Sequence, residues 1–145
     1  MNTTLEIILA AALTLVVVQS IKLATDGIKG NFNLKGIFSV YGGMPSSHTA
    51  VVASLCTMIA YKEGLDSTAF SMALIFSMII IADATMFRGY VDRNSLALKK
   101  LVEKLPDADK EGLKPVFTKL KHTLPQVLVG AAIGYGIASI IHLFS

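Results

Sequence analysis

Charge is scarce in this chain, and so are the residues of the common catalytic signatures. Only 16% of the 145 residues are Asp, Glu, Lys or Arg, 53% are hydrophobic, and the mean hydropathy is +0.62. That is too apolar for an ordinary soluble domain. Cys56 is the single cysteine, so an intrachain disulfide is excluded, and its place inside an apolar run is that of a small buried residue. No His/Cys cluster stands at zinc spacing, and there is neither a Walker loop nor a dinucleotide fingerprint, so no metal and no cofactor are expected. No Lys or Arg precedes the first apolar run, which therefore lacks the basic region of a signal peptide and is expected to stay as a helix. The net charge of +3 is too unevenly spread to suggest nucleic acid; a membrane accounts for it better.

Four apolar runs are present, at about residues 5–21, 48–61, 67–87 and 124–144, with a polar amphipathic insert at 89–121. They predict an all-α fold: a single membrane domain over 1–145, an integral membrane helical bundle with about four transmembrane helices and interfacial amphipathic helices. The second run is short for a crossing. It fits if its start is recessed below the surface, which is tolerated where backbone is buried in protein or faces a water-filled cavity, or if the bilayer thins around it. The third run carries one ionisable group, Asp83. A carboxylate at membrane depth costs about 2.5–3.5 kcal/mol on insertion scales, so it is expected either to face the bundle interior beside a partner, with Arg88 nearest, or to lie at the interface. In the insert, Leu96, Leu101, Val102 and Leu105 share one face, and Leu113, Val116, Phe117 and Leu120 another. These faces suit anionic lipid or a neighbour in the bundle. Gly130 and Gly134 form a GxxxG pair in the last run, for close packing within the chain or across a homodimer.

Every Lys and Arg except Lys62 falls on the side reached by the first and third connections. The positive-inside rule makes that side cytoplasmic and puts both termini outside. His48, Arg88 and His122 belong to the same face. Within it, Gly42-Gly43-Met44-Pro45-Ser46-Ser47-His48-Thr49-Ala50 brings glycines, a proline, two hydroxyls and a histidine together just before an apolar run. Ser46 and Ser47 are N-cap candidates, and the helix they begin presents N–H groups and a positive dipole end to an anion. Two histidines, cations and a carboxylate at one face suit phosphoryl transfer, which needs a nucleophile, a proton donor for the leaving oxygen, and positive charge for the phosphoryl oxygens.

The segment Gly43 to Ala50 resembles the Pro-Ser-Gly-His motif of the type-2 phosphatidic acid phosphatase and vanadium haloperoxidase superfamily. His122-Thr123-Leu124-Pro125-Gln126-Val127 resembles its third motif. With Asp83-Ala84-Thr85 to Arg88, the set is similar to the divergent branch of that superfamily, small membrane proteins, over about residues 19–138. The resemblance implies a membrane phosphatase for a lipid or isoprenoid phosphate, with His122 as the nucleophile that becomes a phosphohistidine and His48 as the acid. It further implies Lys22, Ser46 and Ser47 on the phosphate. Arg88 stands in for the arginine absent before His122, where Pro115 and Val116 occur, and Gln126 occupies the place of the aspartate that orients the nucleophile. Asp83 is a candidate for that missing carboxylate. A membrane protein that binds or moves a phosphorylated lipid without hydrolysing it is the alternative, and vanadate-dependent oxidation a distant third.

Overall fold

A computed structural model describes residues 2–25, 44–106, 113 and 121–145. The described residues are helical, without strands: α1 (Thr3–Thr25), α2 (Ser47–Glu63), α3 (Thr68–Ala82), a π-helical turn (Asp83–Phe87), α4 (Arg88–Glu103) and α5 (Leu124–Leu143). The glycines at 42 and 43, Lys29, Lys35 and most of the second amphipathic segment lie outside the described residues.

Among the described residues three stretches, Thr3–Ala24, Thr68–Glu103 and Leu124–Leu143, are long and apolar enough to cross a membrane. Their large side chains face outward: Ile8, Val16, Ile75, Met78, Leu128 and Ile140 are all exposed. The buried set is instead rich in small and polar residues, with Ala10, Ala50, Ala84 and Ala138 beside Thr14, Thr49, Ser54 and Ser77, and includes a few larger apolar side chains such as Met58 and Val18. That inversion suits a bundle solvated by hydrocarbon, in which small residues let backbones approach and hydroxyls bond inward. Thr14 and Ser77 do so, donating to the carbonyls of Ala10 and Ala73 at 2.7 Å.

The short α2, 17 residues or about 25 Å, is the axis of the bundle. It packs against α1, α3 and α5, and α1 also packs on α5. Gly130 and Gly134 set the α2–α5 contact: a Cβ on Gly130 would lie 2.5 Å from the Ser46 carbonyl oxygen, and one on Gly134 2.0 Å from that of Ala50. The GxxxG pair is therefore used within the chain.

The third helix does not stop at residue 87, where the hydropathy changes, but runs on into α4 through the π turn. The first proline after Ser67 is Pro106, so no helix breaker intervenes. At the far end of the bundle, the buried Glu6 of α1 forms an ion pair with the half-buried Lys62 of α2, and Lys62 Nζ donates to Ser145 Oγ at 3.0 Å. Beside it the rings of Tyr61 and His142 stack at 4.4 Å. This polar clasp joins the ends of α1, α2 and α5 and explains a carboxylate within the first apolar run.

Candidate active site

At the opposite end three helix termini and the π turn meet around an open cavity of about 530 Å³. Lys22 enters it from the last turn of α1, Ser47 and His48 from the first turn of α2, Arg88 from the end of the π turn, and His122 from just before α5. Gln19 lines it too, one turn before Lys22. Lys22 and His122 are buried, whereas His48 is exposed at the opening.

Each element delivers its residue for a local reason. Ser46 occupies the N-cap of α2 with extended backbone (φ −72, ψ 111), but its hydroxyl pairs with Thr49 Oγ1 at 3.0 Å and does not cap the helix. Ser46 therefore stands behind the cavity and does not line it. Its N–H donates to the Gln126 carbonyl at 3.1 Å, which ties the two histidine segments directly. The neighbouring Ser47 hydroxyl is buried, lines the cavity, and has no hydrogen-bond partner among the described residues. A buried hydroxyl without a partner loses roughly 1–3 kcal/mol unless something satisfies it.

The π turn places Arg88. In an α-helix, side chains three and four apart are neighbours; in a π turn, where bonding is i→i+5, residues five apart come together. Arg88 Nε donates to Asp83 Oδ2 at 3.1 Å. The His122 N–H donates to the Ala84 carbonyl of the same turn at 3.0 Å, and the Lys121 N–H to Asp92 Oδ2 of α4 at 2.8 Å. Sequence reasoning missed Asp92; its only signal was a carboxylate one helical turn beyond Arg88.

Gln126 decides the tautomer of His122. Its Oε1 accepts from the Thr123 N–H at 2.7 Å, which identifies that atom as oxygen. The same oxygen lies 3.4 Å from His122 Nδ1, so Nδ1 carries the proton and Nε2 keeps its lone pair. Asp83, a candidate for this orienting position, spends its hydrogen bond on Arg88 instead. Burial pulls the His122 pKa below its ordinary value; the Gln126 bond opposes this, and the charges of Lys22, Arg88 and His48 reinforce it. His122 is thus neutral at pH 7.

The pair of Asp83 and Arg88 is partly exposed, and such pairs contribute about 0.2–1 kcal/mol. Asp83→Asn is therefore expected to weaken binding of a phosphate ligand by no more than about fivefold, whereas Arg88→Gln is expected to weaken it more. Titration of purified protein with vanadate measures both. Equal losses in the two variants would give Asp83 a larger part than holding the guanidinium.

A buried Lys22, a half-buried Arg88, a neutral histidine and an accessible second histidine at one end of a hydrocarbon-faced bundle are the features of a phosphatase-like membrane protein. The sequence profile of the Divergent PAP2 family matches residues 3–137. The chain belongs to that family. It is also 44% identical over 61 residues to the uncharacterized membrane protein YuiD of Bacillus subtilis (strain 168), a match covering 42% of this chain and 39% of that protein. The chain thus matches about two fifths of its relative's length. No solved structure matches.

Proposed function

We propose that the protein hydrolyses the phosphate monoester of a lipid or isoprenoid through His122 and His48, without a metal, at the cytoplasmic face of the membrane. The observation that supports this best is the convergence of Lys22, Ser47, His48, Arg88 and His122 on one cavity. His122 Nε2 attacks phosphorus as the phosphorus–oxygen bond to the leaving group breaks, and the imidazolium form of His48 gives that oxygen its proton. Burial and the charges of Arg88 and Lys22 lower the His48 pKa, so this form becomes more populated as pH falls. Water then attacks the phosphohistidine, His48 takes the water's proton, and phosphate leaves with His122 restored. Lys22, Arg88 and Ser47 stabilise the charge on the phosphoryl oxygens. Asp83 positions Arg88, and Gln126 orients His122.

Gln126 favours the second reading, a protein that binds or carries a phosphorylated lipid. A glutamine holds the tautomer but supplies no charge to the imidazolium-like ring that forms. In a protease triad a comparable neutral replacement lowers turnover about 10⁴-fold. Phosphate release from a panel of lipid phosphates in detergent, with chelator present, separates the two: release above the His122→Ala background supports hydrolysis, and vanadate binding without release supports the carrier.

The pH profile is a further check. The reactive His122 is neutral, and its lowered pKa keeps it so as pH falls, so the acid limb of activity is expected below the ordinary imidazole value of about 6.5. Gln126→Asp adds a negative charge that favours the imidazolium, and is expected to raise turnover while moving that limb to higher pH. An unmoved limb would detach it from His122.

A further inference from the structure

α1 and α3 both lie on α2 yet hardly touch each other, and the cavity occupies the groove between them. Leu15, Gln19 and Lys22 form one wall, at the spacing of a single helix face. Phe76 and Ile80, also one turn apart, form the other, and Val51 and Val52 the floor. The charged and polar groups gather at one end and the rest is apolar. Phe76 lines the cavity and is nevertheless 51% exposed, which puts it at a side mouth that opens toward hydrocarbon.

We propose that this groove is a lateral portal that grips one hydrocarbon chain of a phosphate-monoester lipid, with Leu15, Phe76 and Ile80 as the gripping residues; the proposal rests on the phosphate reading above. The charge pattern selects the occupant. Cations and histidines at the polar end match a dianionic head, and the apolar walls match the carbons next to it. A lipid with a shielded phosphodiester head would bring a chain to the mouth but no monoester to the cations. The walls, each one helix ridge high, leave a single lane, and from Leu15 to Lys22 it spans about 10 Å. The phosphorylated lipid therefore reaches His122 from within its leaflet without leaving the bilayer.

The chain contains no tryptophan, so Phe76→Trp introduces a sole indole at the mouth. In nanodiscs, its fluorescence is measured against phosphatidate with dibrominated chains and against phosphatidylcholine with the same chains at equal mole fraction. The expected result is stronger quenching by the phosphatidate, an excess that Arg88→Gln removes. Ile140→Trp, at an exposed position of α5 away from the groove, is expected to be quenched equally by both lipids. No preference at position 76, or the same preference at 140, would overturn the portal. Selective quenching without turnover would keep the portal and remove the hydrolase reading; turnover without selective quenching would do the reverse.

Discussion

Replacing His122 with alanine is expected to lower phosphate release about 10⁶-fold, the loss seen when a hydrolase loses its nucleophile. At about 1.4 kcal/mol per decade this is roughly 8 kcal/mol of transition-state stabilisation. The size follows from a covalent route: of the two imidazoles that line the cavity among the described residues, His122 is the one whose Nδ1 is held by a hydrogen bond, to Gln126, leaving Nε2 for attack. His48→Ala is expected to lose less, about 10²–10⁴-fold, the usual contribution of a general acid. The acid's share shrinks when the leaving oxygen is already acidic, so His48→Ala should be partly rescued by an activated ester and His122→Ala should not. Steady-state rates on a poor and a good leaving group decide this. Equal rescue of both variants would reverse the assignment of roles. An acid-labile phosphoryl label, trapped on wild type and absent from His122→Ala, reads the intermediate directly.

Gly134→Leu is expected to prevent the native packing of α2 on α5. Even the first carbon of a side chain would sit 2.0 Å from the Ala50 carbonyl oxygen and 3.0 Å from the Ser54 nitrogen. Both are helix backbone, so the helices have to separate. Overpacking a core typically costs about 1–3 kcal/mol, and a clash that parts two backbones along a shared seam lies at or beyond the upper end. The seam ends at the histidine-lined cavity, where Gly130 meets Ser46 and the Ser46 N–H reaches the Gln126 carbonyl. Separation therefore also pulls His48 away from His122. Gly136→Ala is the control, because a Cβ there meets nothing within 4 Å and alanine is the better helix former. Thermal unfolding in detergent is expected to show a large loss for Gly134→Leu and none for Gly136→Ala. Similar losses in both would mean that helix propensity, not close approach, governs this region.

Much of the molecule was legible from residue order because the bilayer reduces fold to a few rules. Apolar runs become helices, since hydrocarbon leaves no other partner for the backbone. The histidine motifs stand out because polar residues at the ends of such runs are unusual. Gly130 and Gly134 were visible as a small-residue pair, but their partner was not: a GxxxG pattern has the same form whether its neighbour is α2 or another copy. Glu6 was visible as an isolated carboxylate, yet its pairing with Lys62 depends on α1 and α2 running side by side. Neither residue carries a local mark of the other.

The sequence by itself determined an all-helical membrane protein and the residue types available for phosphate chemistry, because hydropathy and local motif are properties of neighbours along the chain. Only the tertiary structure decided how those residues are used. It set Ser47 rather than Ser46 on the cavity, turned Asp83 toward Arg88, and gave His122 its tautomer through an oxygen already fixed by a helix cap. It also produced the π turn, which no periodicity announced. These choices rest on hydrogen bonds of one direction and a few ångströms' reach, and those distances exist only once the helices have packed.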